Sequence, residues 1–261
     1  MRPTKALGQN FLIDPNLARA IVADAGIGAG DHVVEIGAGF GSLTVALADA
    51  GARVLAIEFD RGLIPALEEV TAGMDAVTVR HADATKLDWA AELSDGDDWT
   101  MCSNLPYNVA VPLVLTMLEQ APMVGRYLVM VQREVGERLA AGPGDDAYGV
   151  VSVRVAYRAR ASIVRRVPPT VFWPRPTVAS VVVGIERLAA PAVDVDPERL
   201  RHVIDAGFAE RRKTMRNALR RLGLSADDAG RVLAECGVAA NARAEELGLE
   251  TFAAIAERVP A

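Results

Sequence analysis

At 261 residues, with 51% apolar and 24% charged side chains, the chain has the composition of a globular protein, long enough for one large domain and a small one. No apolar run reaches the length needed to span a bilayer. The opening Met1-Arg2-Pro3-Thr4-Lys5 leads into polar Gly8-Gln9-Asn10 rather than into an apolar signal core. Two cysteines, Cys102 and Cys236, make neither a disulfide framework nor a zinc spacing, so the expectation is a reducing cytoplasm and no metal. The net charge of −6 speaks against a nucleic-acid partner, but its distribution does not. Between Val151 and Arg221 stand 15 basic and 6 acidic residues, against 13 and 28 in the rest of the chain. A basic strip on an acidic body suggests a polyanion contact on one face, through Arg211, Arg212, Lys213, Arg216, Arg220 and Arg221; a solvated helix face is the alternative.

In chain order, a polar-apolar arm from Lys5 to Asp14 precedes a helix predicted over Asn16 to Ala25, with Asp14 as N-cap and Pro15 at the first helical position. The strand Asp31 to Ile36, the turn Gly37-Ala38-Gly39-Phe40-Gly41 and a helix from Ser42 to Ala50 form the strand, glycine turn and helix of a nucleotide loop. The spacing is G-x-G-x-G, and Ser42 stands where a dinucleotide loop would have its third glycine. An acid before the turn, Glu35, suits the ammonium of S-adenosylmethionine, and free backbone N–H groups suit its carboxylate. A second strand, Arg53 to Glu58, ends in a carboxylate placed to accept two ribose hydroxyls, and a third, Val77 to Asp83, ends in an acid placed for an adenine amino group. His81 reads as a strand-surface residue. Trp99 to Ser103 is a fourth strand that delivers Asn104.

The stretch Asn104-Leu105-Pro106-Tyr107 turns sharply because the residue before a proline is kept out of the helical region. An adenine N6 is a poor nucleophile because its lone pair is delocalised into the ring. The Asn104 side-chain oxygen and the Leu105 carbonyl are two acceptors for the amine hydrogens, and Tyr107 offers a ring to stack on the base. Catalysis by such a group is mostly positioning and electrostatics. A proline turn beside a buried tyrosine is the structural alternative. A helix over Val111 to Glu119, a strand over Arg126 to Val131, a helix over Gln132 to Ala141 and another over Val150 to Tyr157 continue the alternation. Strands at Val164 to Val167 and Val178 to Ile185 close the sheet. Between them the proline-stiffened loop Pro168 to Pro176 presents Phe172 and Trp173, a ring to stack on a base opposite Tyr107 or a core anchor. Ala189 to Pro197 reads as a linker, Glu198 to Leu222 as helical, Ser225 with Asp228 as a capping box, and Leu249 to Val259 as the last helix.

Taken together, L-G-Q-N-F-L at 7–12, E-I-G-A-G-F-G at 35–41, E-F-D at 58–60, N-L-P-Y-N at 104–108, F-W-P-R-P-T-V-A-S at 172–180 and F-A-E-R-R-K-T-M-R-N at 208–217 resemble the ribosomal RNA adenine N6-dimethyltransferases, small-subunit type. The resemblance spans nearly the whole chain. It implies an α/β fold: a Rossmann-like class I S-adenosylmethionine-dependent methyltransferase sheet with helices on both faces over residues 1–188, and a small all-α C-terminal domain that contacts RNA or the ribosome over 189–261. It implies Asn10, Leu12, Gly37, Gly39, Glu58, Asp83 and Asn104 at the cofactor, Asn104, Leu105, Pro106 and Tyr107 as the catalytic motif, and Phe172 as the second stacking aromatic. It further implies two methyl groups placed on each of two adjacent adenosines in a hairpin loop near the 3′ end of small-subunit ribosomal RNA, by a monomer working on the assembling 30S particle. Ala38 in place of a common proline and Ala179 in place of a usual Asp depart from the pattern. Three other readings stand beside this one: a large-subunit RNA methyltransferase conferring drug resistance, a non-catalytic ribosome-assembly factor on the same scaffold, and, least consistent with the glycine spacing, a nicotinamide oxidoreductase.

Overall fold

The computed structural model describes residues 9–94, 98–210 and 212–259. Arg211, and Leu7 and Gly8 of the arm motif, lie outside them. The arm contributes a two-residue strand, β1 (Phe11–Leu12), and then α1 (Pro15–Asp24). Asp14 caps that helix as expected, its carboxylate accepting the N–H groups of Asn16 and Leu17. There follow β2 (His32–Ile36), α2 (Ser42–Asp49), β3 (Arg53–Glu58), α3 (Ile64–Val70), β4 (Val77–His81), α4 (Trp89–Glu92), β5 (Trp99–Asn104), α5 (Ala110–Gln120) and β6 (Val124–Gln132). After α6 (Arg133–Ala140) and α7 (Val150–Arg158) come β7 (Ala159–Val167), β8 (Phe172–Trp173) and β9 (Ser180–Arg187). Four helices finish the chain: α8 (Pro197–Phe208), α9 (Met215–Arg221), α10 (Ala226–Glu235) and α11 (Leu249–Arg258).

Seven strands form one sheet in the order β4-β3-β2-β5-β6-β9-β7. The pairs from β4 through β6 are parallel and β9 runs antiparallel to β6. Strands β2 and β5 are buried almost throughout, because a parallel sheet is covered by helices on both faces. The strand order reverses between β2 and β5, and the crevice beyond the carboxyl ends of strands at such a point is where open α/β folds hold ligands. The loops that follow β2 and β5 are the glycine turn and Asn104-Leu105-Pro106-Tyr107. The Arg187 guanidinium at the end of β9 lies 2.8–3.0 Å from the carbonyls of Met117, Leu118, Ala121 and Val124 and from the Tyr127 hydroxyl, and so ties the end of α5 to the start of β6.

The chain divides into two compact units, and they are not the contiguous segments 1–188 and 189–261 expected from the sequence. The first runs to Glu137 and resumes with Ala161–Arg187; the second comprises Arg138–Arg160 and the chain from Leu188 on. The reason is packing. On α7, Val153 and Tyr157 bury against Leu200, Val203, Ile204, Phe252 and Ile255 of α8 and α11. Tyr148 donates its hydroxyl to the Leu247 carbonyl at 2.8 Å and meets Phe208 edge-on. Burying a side chain of the size of valine contributes about 1.5–3 kcal/mol.

The helical run expected over Glu198 to Leu222 is broken: α8 ends at Phe208, and Met215, fully buried, donates its N–H to Ala242. Ser225 caps α10 through the N–H of Asp228, and its hydroxyl donates to the Asp228 carboxylate at 2.7 Å. Among the described residues no helix is long and apolar enough to cross a membrane, and no group of three or more His, Cys, Asp or Glu could hold a metal.

Candidate active site

A cavity of about 260 Å³ opens at the switch point. Its walls come from the arm (Gln9, Asn10, Phe11), the turn after β2 (Gly37, Gly39), the end of β3 (Glu58, Phe59), the loop after β4 (Asp83, Ala84, Thr85) and the loop after β5 (Asn104 to Val109). Gly37 has φ +78°, and a Cβ there would lie 3.2 Å from Pro106, so the two loops approach closely only because this position is glycine. A Cβ on Gly39, at φ +60°, would lie 3.0 Å from the Phe11 ring.

Asn104 ends β5 and donates Nδ2–H to the carbonyl of Asn10 at 3.0 Å, which leaves Oδ1 as the acceptor of the amide. Leu105 is buried and anchors the turn by donating its N–H to Met130 of β6 at 3.0 Å. The Tyr107 hydroxyl lies 2.9 Å from Ser180 Oγ, and burial pushes the phenol above its ordinary range, so it stays protonated. The Glu58 carboxylate accepts N–H bonds from Gly39 and Asp60, each at 2.8 Å and each on a different oxygen. Burial raises its pKa, and those two backbone bonds oppose the rise. Asp83 accepts from the hydroxyl and N–H of Thr85 and pairs with Lys86 at 3.1 Å; the Thr85 hydroxyl contributes most to holding its pKa below the usual range. His81 binds the Phe59 carbonyl from the strand surface, as its sequence position suggests.

Two expectations are corrected, and two of the expected site residues lie away from the cavity lining. Glu35 does not face the cavity: it is 1% exposed, accepts the Thr44 hydroxyl at 2.5 Å, and is pushed by burial to a pKa of about 8. The turn does not offer its first N–H groups to a ligand. Gly37 and Ala38 donate theirs to the Ile57 carbonyl and Gly39 donates its own to Glu58. Leu12 and Phe172, expected at the cofactor and at the base, are 4% and 3% exposed in the core of the sheet. The cause is the period of a strand. In the antiparallel β1–β8 ribbon Leu12 lies opposite Phe172 and Phe11 opposite Trp173, so one pair faces the core and the other faces away.

Comparison with known proteins settles the kinship. A profile of the ribosomal RNA adenine dimethylase family matches residues 2–260. The chain belongs to this family. It is 44% identical over 265 residues to the ribosomal RNA small subunit methyltransferase A of Thermobifida fusca, covering 100% of this chain and 91% of that protein. It is 45% identical over 266 residues to the protein of the same name from Streptomyces griseus, covering 100% and 90%. Among solved structures, a dimethyladenosine transferase from Plasmodium falciparum superposes with a TM-score of 0.80 at 23% identity, covering 94% of this chain and 95% of that one. The 23S rRNA methyltransferase ErmE superposes at 0.74 and 24% identity, covering 96% and 99%. These two likenesses confirm the methyltransferase fold.

In this adenine dimethylase the six basic residues singled out in the C-terminal unit separate into groups. Arg216 spends its guanidinium on the Ala226 carbonyl, and Arg221 pairs with Glu210 and the Ala206 carbonyl. Arg212, Lys213 and Arg220 are exposed, and Lys213 and Arg220 line a groove with Asn217. Arg211 is outside the described residues. Sequence reasoning missed Phe11, Phe59, Thr85 and Ser180. Phe11, Phe59 and Ser180 lay inside quoted motifs and Thr85 did not; the partner of Ser180, Tyr107, is 73 residues away.

Proposed function

We propose that the chain dimethylates adenine N6 in small-subunit ribosomal RNA, using S-adenosylmethionine. Family membership makes it a ribosomal RNA adenine dimethylase, and S-adenosylmethionine supplies an electrophilic sulfonium methyl. The residues at the switch point fit that donor. Each Glu58 oxygen keeps a lone pair for a ribose hydroxyl after binding its backbone N–H. Asp83, ionised by Thr85 and Lys86, suits an adenine amino group, and apolar Phe59 and Ala84 line the walls between them.

One observation carries the chemistry: the Asn104 amide is oriented by the Asn10 carbonyl. With Nδ2 committed, Oδ1 accepts a hydrogen from the incoming amine without having to choose between its two orientations. The half-buried, tethered Tyr107 ring offers the base a fixed stacking face. No general base is required before attack, because the amine proton becomes acidic only as the methyl arrives. The groups therefore contribute by position and preorganised polarity.

In the finer reading the substrate is two adjacent adenosines of a hairpin loop near the 3′ end of the RNA, inside the assembling small subunit. The enzyme is a cytoplasmic monomer, and the exposed Arg212, Lys213 and Arg220 take phosphates. Similarity along nearly the full length to small-subunit methyltransferases supports it. The test is labelled methyl transfer to unmethylated small and large subunits side by side, with the modified base identified. Dimethyladenosine in the small subunit alone is expected. Label in the large subunit would transfer the reading to the resistance type, and tight binding without label would make the chain an assembly factor.

A further inference from the structure

Trp173 stands out among the three tryptophans. Trp89 and Trp99 are 1% and 4% exposed, whereas Trp173 is 47% exposed although it sits on a strand. One face of its indole is covered by Phe11, with ring centroids 6.3 Å apart and planes 25° from parallel. Phe11 in turn meets Phe40 edge-on at 4.5 Å and lines the cavity that holds Asn104 and Tyr107. Phe11 thus joins the cavity wall to Trp173, whose indole stays about half exposed. Arg175, two residues on in the same loop, is also exposed and supplies positive charge for a phosphodiester. Unpaired RNA is held by stacking bases on exposed aromatic rings beside basic side chains.

We propose that the outer face of Trp173 is a stacking platform for an unpaired nucleobase of the RNA, next along the strand to the adenine that enters the cavity. The proposal rests on the RNA methyltransferase reading above and adds a second base site to it. It also accounts for the ribbon: the strand alternation that sends Phe172 into the core turns Trp173 outward, against the Phe11 ring that lines the cavity. A base stacked there keeps the strand in register with the cavity while the neighbouring nucleotide is extruded, so its effect falls on capture of RNA rather than on methyl transfer.

The test uses the full chain and a hairpin RNA with unpaired adenosines in its loop, alongside a blunt duplex of the same length. Indole emission of the unaltered chain should be quenched saturably by the hairpin and not by the duplex. Trp173→Phe, which keeps Trp89 and Trp99, should lose that quenching. In steady-state methylation Trp173→Leu should raise KM for RNA roughly tenfold, while Trp173→Phe stays within about threefold, with kcat and S-adenosylmethionine affinity unchanged in both. Thermal melts of the two variants separate loss of stacking from loss of the ribbon, since leucine keeps an apolar contact on Phe11. Absent quenching in the unaltered chain, or a Trp173→Leu enzyme as effective as Trp173→Phe, overturns the platform. An unaltered chain that methylates no ribosomal RNA instead overturns the functional reading beneath it.

Discussion

The Asn104 side chain reaches back 94 residues to the carbonyl of Asn10, so this amide and the arm before α1 hold one another in place at 3.0 Å. Asn104→Ala removes both the acceptor and this anchor. It should lower kcat by about 10²- to 10³-fold, the usual loss for a preorganised polar group, with RNA affinity changed little. Asn104→Asp keeps an acceptor but sets an oxygen against the Asn10 carbonyl. It should retain more kcat than the alanine variant and show a higher KM for S-adenosylmethionine. Steady-state kinetics on unmethylated small subunits separates the two, and a normal kcat in folded Asn104→Ala would remove the mechanism.

Tyr107 and Ser180 act as a pair. Either Tyr107→Phe or Ser180→Ala removes the 2.9 Å bond; the first strands a hydroxyl that is 1% exposed and should cost about 1–3 kcal/mol of stability. Tyr107→Phe keeps the ring and should lose less than about tenfold in kcat, whereas Tyr107→Ala loses the stacking face and should lose far more. Because the two side chains share one interaction, the double variant should be less impaired than the sum of the singles, which a double-mutant cycle in denaturant melts reads directly.

Burial raises Glu35 from 4.5 to about 8. The folded chain then holds a proton across this range that the unfolded chain has released. The resulting stability is fully present below pH 4.5 and is lost as pH rises through about 8, at about 1.4 kcal/mol per pH unit in between. Glu35→Gln copies the protonated form and keeps an acceptor for Thr44. Its Tm should therefore fall less than that of the unaltered chain between pH 5 and 8. Parallel Tm profiles would mean that Glu35 is ionised in the folded state.

On α6, a Cβ at Gly136 would lie 2.2 Å from Val181 Cγ2 and 3.0 Å from Val183 Cγ2. Both valines are buried in β9 and branched at Cβ, so neither swings aside. Gly136→Ala should destabilise the protein by about 1–3 kcal/mol despite the better helix propensity of alanine, visible as a lower urea midpoint.

In the C-terminal unit, Lys213→Ala and Arg220→Ala should each flatten the dependence of log affinity for RNA on log salt by about one unit or slightly less, with Tm unaffected. Arg216→Ala should instead lower Tm, because its guanidinium binds the Ala226 carbonyl rather than facing solvent. Salt titrations and melts of the same three proteins decide it.

What the sequence determined by itself is whatever a few consecutive residues enforce. Alternating apolar segments and helices set an α/β sheet, Asp14-Pro15 started a helix, and glycines after β2 together with Asn104-Leu105-Pro106-Tyr107 after β5 marked the strand ends that meet at the switch point. Tertiary structure decided everything that depends on a distant partner. Glu35 looks like a cavity acid in sequence, but a sheet covered on both faces encloses it against Thr44. The N–H groups of the turn look free, yet β3 lies close enough to take them. Leu12 and Phe172 go to the core while Phe11 and Trp173 turn outward because a strand alternates, and the register between two strands far apart in the chain chooses which pair goes where. Likewise α7 sits inside the span assigned to the sheet domain, but the partner able to bury Val153 and Tyr157 belongs to the helical unit. Local spacing records backbone geometry; which face finds a partner is known only once the chain has folded.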